Sequence, residues 1–209
     1  MAGGLRAAIV GQFQRPHGFL GGVVGWIMAA RSSNRRRSLW TVDRLHVGPG
    51  DRVLEIGCGP GVALAAAAAR GARHIVGLDH APVMLAQAGR RNRRAIAAGQ
   101  IALRRGGLDE IPRLGEPFDK IFSVNVVQFL ADKAGFCRAL AAALKPGGLA
   151  ATTYQPRHRK PTRADALAMA DAIAAHMAAA GFGEIAIEEL PLRPAPAVCV
   201  VGRKPREAE

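Results

Sequence analysis

The pattern of apolar runs predicts an α/β protein, a doubly wound and mostly parallel sheet with helices on both faces, preceded by a helical segment. Three observations carry this. From residue 52 onward, short β-rich runs alternate with stretches of helical length. The first run ends in the glycine cluster Gly57-Cys58-Gly59-Pro60-Gly61, where such sheets bind ligands beyond the strand ends. The last two runs are separated by prolines and no helix, so they pair antiparallel, because a parallel pair needs a crossover.

Residues 1–18 are Gly-rich and poorly patterned. Two helical segments are expected next, at about 19–31 and 34–47. In the second, Leu39, Trp40, Val42, Leu45 and Val47 recur near helical spacing, and Gly48-Pro49-Gly50-Asp51 stops it. Arg52–Ile56 is the first strand and Val62–Arg70 a helix, favoured by the alanines at 65–69. His74–Leu78 is the second strand, followed by one helix over about 81–98. Gln100–Arg104 is the third strand, and a loop with Pro112 and Pro117 leads to the fourth, Phe118–Val124. A helix over 132–144 stops at Lys145-Pro146-Gly147-Gly148, before a fifth strand over 149–154. A long helix over about 162–180 precedes the final runs, Glu184–Leu190 and Ala197–Arg203. The expected division is an N-terminal helical extension, residues 1–47, and one ligand-binding domain, residues 48–209.

The chain has 209 residues, 49% hydrophobic and 22% charged, which suits one substantial core and excludes a disordered chain. Its formal net charge is +13, and only five of its 29 basic residues are Lys. Such a charge suits an anionic partner, or solvated basic faces from an Arg-rich, Ala-rich composition. Cys58, Cys137 and Cys199 lie far apart with no metal-ligand spacing, so neither a disulfide framework nor a metal site is expected, and a cytoplasmic setting is. The apolar stretch 19–30 is too short to span a bilayer. With its Arg-rich flank it offers a lid over the ligand site, core packing, or peripheral contact with a membrane surface. The run Arg90-Arg91-Asn92-Arg93-Arg94 is expected on the solvated face and end of a helix.

A dinucleotide site would want Gly-x-Gly-x-x-Gly, but Val62 occupies the third glycine position and Pro60 intervenes, which disfavours a pyrophosphate. A nucleoside with a charged amino-acid tail needs no such close approach. Cys58 is expected to contribute backbone to the loop, not to act as a nucleophile.

The nine residues Val53-Leu54-Glu55-Ile56-Gly57-Cys58-Gly59-Pro60-Gly61 resemble the first motif of class I S-adenosylmethionine-dependent methyltransferases, in the branch of ubiquinone/menaquinone-type and other small-molecule methylases. Asp79, 22 residues after the first glycine, ends the second strand, and Asp79-His80-Ala81-Pro82-Val83-Met84-Leu85 follows the family's pattern. Phe118–Ser123 and Leu144-Lys145-Pro146-Gly147-Gly148 resemble later motifs, so the likeness covers about residues 45–155. It implies a seven-stranded Rossmann-like sheet of order 3-2-1-4-5-7-6 with strand seven antiparallel, and S-adenosyl-L-methionine as cofactor. The implied cofactor set is Glu55, Gly57, Cys58, Gly59 and Gly61, with Asp79 on the ribose, His80 near the ribose or adenine edge, Met84 near the adenine ring, and Asn125 and Gln128 near the transferring methyl. Many members bind the adenine amino group with an Asp where this chain has Gly107. Adenine is then left to the backbone of Gly107 and Leu108, or to Asp109.

The implied activity is methyl transfer to a small-molecule or lipid-like acceptor by direct in-line displacement, for which no catalytic residue need be conspicuous. His17, Trp26, Tyr154 and His158 are candidate substrate contacts. The alternatives are an RNA or protein methyltransferase, suggested by the charge, and a catalytically silent cofactor-binding protein. Nucleic acid is disfavoured because the fourth strand ends Ser123-Val124-Asn125-Val126-Val127, without the Pro-Pro-aromatic grip for a flipped-out amine.

Overall fold

The structure is a computed structural model that describes residues 32–206. Among these residues, helix α1 spans Ser32–Arg44, strand β1 Arg52–Ile56, α2 Val62–Ala69, β2 His74–Asp79, α3 Pro82–Arg91 and α4 Arg93–Ala97. They are followed by β3 Ile101–Arg105, β4 Phe118–Val124, α5 Lys133–Ala143, β5 Leu144–Tyr154, α6 Arg163–Ala179, β6 Gly183–Leu190 and β7 Ala197–Arg203. Short 3-10 turns, Leu108–Arg113 and Val127–Phe129, follow β3 and β4.

The seven strands form one sheet of order β3-β2-β1-β4-β5-β7-β6. β1 pairs parallel with β2 and β4, β2 with β3, and β4 with β5, whereas β7 runs antiparallel to both β5 and β6. The antiparallel hairpin forms because residues 191–196 carry no crossover helix. Successive strand residues point to opposite faces, so each central strand feeds two cores. Leu54, Val76, Leu78 and Ile121 enter the core closed by α5 and α6. Val53, Ile75, Phe122 and Ala151 enter the one closed by α1, α2 and α3. Both faces are therefore covered, as a parallel sheet requires.

α1 is integral to the second core. Val42 and Leu45 have no exposed surface, and the Thr41 and Thr153 hydroxyls are hydrogen-bonded at 2.6 Å between α1 and β5. The expected helix over 19–31 lies outside the described residues.

Two expectations change. The single helix over 81–98 is two, α3 and α4, broken at Asn92. Asn competes with the helical backbone through its side chain, and here the Asn92 amide turns away to bind Gly61 O and Ala88 O, both at 3.0 Å. β5 begins at Leu144, not 149, because Leu144 pairs with Phe118 across an irregularity between Phe118 and Lys120.

The amino ends of the strands are held by charge. Asp119 accepts from Arg52 N at 2.8 Å and from Lys145 Nζ at 2.9 Å. Burial alone would raise its pKa, but those donors outweigh it and hold the carboxyl below its ordinary value. Asp119, part of a resembling motif, thus works at the end of the sheet opposite the glycine loop.

Candidate functional site

Beyond β1 the chain reverses at the glycine loop. Gly57 N and Cys58 N both donate to Leu78 O, at 2.8 and 3.0 Å, which pins the loop to the carboxyl end of β2. Asp79 completes the attachment: Oδ2 accepts from Gly59 N at 2.8 Å and Oδ1 from Ala81 N at 2.9 Å. One carboxylate therefore fixes both the loop after β1 and the start of α3. It is 7% exposed, and each oxygen keeps a further lone pair for another donor.

Gly61 begins α2 in the left-handed region, φ +75°, and a Cβ there would stand 2.5 Å from Asn92 Nδ2 and 2.9 Å from Ala88 Cβ. Close helix packing, usually assigned to a third glycine of a dinucleotide loop, is achieved here one residue earlier. At Gly59 a Cβ would meet nothing within 4 Å, so this part of the loop faces open space.

Glu55 precedes the loop and is 3% exposed. It accepts a hydrogen bond from the Leu64 backbone in the first turn of α2, while its Oε2 is buried without a partner among the described residues. Burial and the nearby Asp79 charge push its carboxyl well above the ordinary range, and the Leu64 bond opposes them only in part. The residue caps α2 and also presents an unsatisfied buried acceptor, a feature native structures seldom leave unexplained. Burial, then Glu55 and Asp79, raise the Cys58 thiol well above its ordinary value, so it is neutral and not nucleophilic.

The other expected residues are distributed as follows. His80 is 60% exposed at its side chain, with Nδ1 3.8 Å from Asp79 Oδ1. Met84 is 3% exposed on α3. Gly107 precedes the 3-10 turn that begins at Leu108, and Gly106 N reaches Asp79 O at 3.1 Å, which brings this segment beside β2. Asn125 has φ +56° at the end of β4. Its Oδ1 accepts from Gln155 N at 2.8 Å, and its carbonyl accepts from Gln128 Nε2 at 2.9 Å. Gln128 Oε1 is buried without a partner among the described residues. Tyr154 is 8% exposed within the α5/α6 core. His158 is exposed and lies 3.2 Å from Asp165 at the start of α6. His17 and Trp26 lie outside the described residues.

Several residues at this end of the sheet were not singled out by the motif pattern. Asn92 and Arg91, expected on a solvated face, turn back onto the loop: Asn92 is 5% exposed, and Arg91 Nε donates to Pro60 O at 3.0 Å. A Cβ on Gly77 would lie 2.6 Å from Leu64 Cδ1 and 3.2 Å from Cys58 Sγ, so that glycine lets α2 settle on β2. Arg37 of α1 is fully buried and donates to Gln155 Oε1, the residue just after β5. A helical projection from Val42 and Leu45 back through Thr41 and Ser38 would have placed Arg37 on the buried face.

Comparison with known proteins shows the family and the fold. A family model described as "Methyltransferase domain" matches residues 53–148. The uncharacterized methyltransferase YdaC of Bacillus subtilis is 32% identical over 184 residues, 88% of this chain and 98% of that protein. Two matches are partial. A ubiquinone biosynthesis O-methyltransferase of Methylobacterium sp. is 38% identical over 98 residues, 46% of this chain and 38% of that protein. A tRNA U34 carboxymethyltransferase of Shewanella sp. is 33% identical over 116 residues, 54% of this chain and 35% of that protein. In fold, the chain resembles the N-methyltransferase NodS of Bradyrhizobium japonicum, solved with S-adenosyl-L-homocysteine. The TM-score is 0.69 at 18% identity, covering 87% of this chain and 92% of that one.

Proposed function

The chain belongs to the class I S-adenosylmethionine-dependent methyltransferases, and we propose that it transfers the methyl group directly to an O, N or C atom of a small-molecule or lipid-like acceptor. The observation that carries the cofactor placement is the Asp79 clasp. A carboxylate at the end of β2 holds the glycine loop by Gly59 N and keeps lone pairs for two ribose hydroxyls. The open space beyond Gly59 and the unsatisfied Glu55 Oε2 suit a ligand with a cationic amino-acid tail. His80, Met84, Gly107 and Leu108 then border the adenine, and Asn125 and Gln128 border the reacting end.

Bound there, the sulfonium supplies an already activated methyl group. The protein's task is to align the acceptor and keep water out. Asn125, locked by Gln155 N and Gln128 Nε2, gives the end of β4 a fixed geometry for this. No described side chain is assigned as a general base.

A small acceptor is supported by the partial likeness to a ubiquinone biosynthesis O-methyltransferase. A cleft of about 580 Å³ opens between α1 and the β6–β7 connection, lined by none of the residues assigned to the cofactor or to the reacting end. Residues 1–47 act in this proposal as a helical lid or extension, whose described helix, α1, packs in the second core. The setting is a reducing cytoplasm, supported by three buried free thiols. No helix among the described residues is long and apolar enough to cross a membrane.

A second reading, an RNA substrate, is favoured by one observation. Six arginines and no acid lie between Asp79 and Asp109, and the partial tRNA-methyltransferase likeness accords with them. Co-purified RNA and a steep salt dependence of binding would select it.

The test of the cofactor site is Asp79→Ala. Its affinity for S-adenosylhomocysteine, measured by titration calorimetry, should fall at least about tenfold, or about 1.4 kcal/mol. Wild-type affinity in the variant would refute the ribose assignment.

A further inference from the structure

Arg37 is a buried cation without a counter-ion. It has no exposed surface, and its terminal nitrogens donate to two neutral amides, Gln155 Oε1 and, at 2.8 Å, Asn34 Oδ1. Its Nε is buried without a partner, and no carboxylate pairs with it among the described residues. Residues 1–31 contain no Asp or Glu, so the only acids outside the described stretch are Glu207 and Glu209. A neutral donor would bridge two amides with less desolvation, so the charge itself calls for a reason.

The site lies at the working end of the sheet. Gln155, just after β5, donates its N–H to Asn125 Oδ1 beyond β4 and its Nε2 to Ala195 O in the β6–β7 connection, at 2.8 and 2.7 Å. Arg37 is thereby tied to the strand ends on the far side of β1 from Asp79. The adjacent cleft is lined by Ser32, Ser33, Arg36, Pro191, Leu192 and Arg193, with two hydroxyls, two guanidinium groups and no acid. None of these residues comes from the glycine loop or from Asp79.

We infer that Arg36 and Arg193 at the cleft receive an oxyanion, a carboxylate or phosphate carried by the methyl acceptor, and that the buried charge of Arg37, the next residue along α1, helps to hold it. The inference rests on the methyltransferase reading and adds a substrate class to it. Each guanidinium at the cleft presents the flat fork of N–H donors that binds such groups bidentately, while the uncommitted Arg37 Nε–H leaves a positive charge without a counter-ion behind them. Burial first, and Arg157 second, lower the Arg37 pKa to about 9, so it remains charged at neutral pH and is stabilised by an anion held nearby at the cleft.

The test uses the full chain at constant ionic strength in chloride, with benzoate and inorganic phosphate as probes and benzamide as the uncharged control. Benzoate or phosphate should raise the melting temperature of the wild type by about 2 °C or more at saturation, and benzamide should not. In Arg37→Met the apparent anion affinity should fall about tenfold or more, while affinity for S-adenosylhomocysteine changes less than about twofold. Arg36→Gln, at the more exposed rim, should weaken the anion response in the same direction. If Arg37→Met instead loses about tenfold in S-adenosylhomocysteine affinity, the oxyanion is the cofactor's own carboxylate and the inference fails. It fails equally if the wild type does not distinguish benzoate or phosphate from benzamide, an arm that needs no variant. Wild-type binding of S-adenosylhomocysteine, measured separately, judges the methyltransferase reading on its own.

Discussion

Replacing Asn92 with Ala removes two hydrogen bonds at 3.0 Å, from a side chain 5% exposed, to Gly61 O and Ala88 O. Neither carbonyl is left bare, because Ala88 O keeps Asn92 N at 2.9 Å and Gly61 O keeps Ala65 N at 3.3 Å. The loss therefore falls at the net value of a hydrogen bond, about 0.5–1.5 kcal/mol each, with no full desolvation penalty. Adding the small void gives about 2 kcal/mol, which in a domain of this size lowers the melting temperature by about 4–8 °C. Ligand affinity should change with it. The amide fixes the turn at Gly61, so Asn92→Ala should bind S-adenosylhomocysteine about tenfold more weakly. Arg91→Ala is the contrast: it loses one bond, to Pro60 O, from an exposed side chain, and should cost less than about 1 kcal/mol. Urea unfolding and titration calorimetry measure both quantities. Wild-type stability together with wild-type affinity in Asn92→Ala would refute the claim that α3 holds the loop.

Glu55 predicts a pH dependence. Its folded pKa is raised above the ordinary 4.5, so below that value both states hold the proton and nothing is lost. As pH rises from 4.5 through the folded pKa, only the folded state keeps the proton, and its stability declines. Glu55→Gln removes that decline, so its unfolding free energy should fall less than that of the wild type between about pH 5 and 8, as read by urea titrations; coincident slopes would contradict the assignment. The thiols make a second case. Burial pushes Cys199 up to about 12 and Cys137 to about 11, and burial, then Glu55 and Asp79, push Cys58 well above its ordinary value. At pH 8 all three should react with a thiol-specific disulfide reagent at least about tenfold more slowly in the folded protein than in urea. Rapid labelling of one thiol in the native state would identify a misjudged environment.

What the sequence made legible was whatever repeats with a period or occupies a fixed place in a motif. The alternation from residue 52 located every strand of the described sheet, because buried parallel strands read as short apolar runs. The order of those strands followed from the family likeness, since nothing in a single strand names its neighbours. The glycine loop and Asp79 were legible because backbone geometry restricts residue type there. Asn92 was not: it sits in an arginine run that reads as solvent-facing, and its partner, the Gly61 carbonyl, is 31 residues away. For Arg37 the helical face carried the signal of burial, but not the partner, as its contact to Gln155 spans 118 residues and joins two polar side chains. Glu55 gave half of its role away, since the motif marked it as a ligand neighbour but not as the cap of α2.

The two hydrogen bonds that Asp79 accepts from Gly59 and Ala81 restrain more than geometry. A loop with three glycines has more freedom to lose than almost any other stretch of its length. Because Asp79, Leu78 O and Asn92 restrain it within the fold, that entropy loss belongs to folding and is not incurred when a ligand arrives. The loop is thus a rigid receptor assembled from main-chain atoms, and its shape is inherited from the packing of α2 and α3 on β2. Firmness of the fold and tightness of binding draw on the same few atoms here. Substitutions that loosen the clasp weaken both together, whereas those at the Asp119 end of the sheet alter the first and leave the second intact.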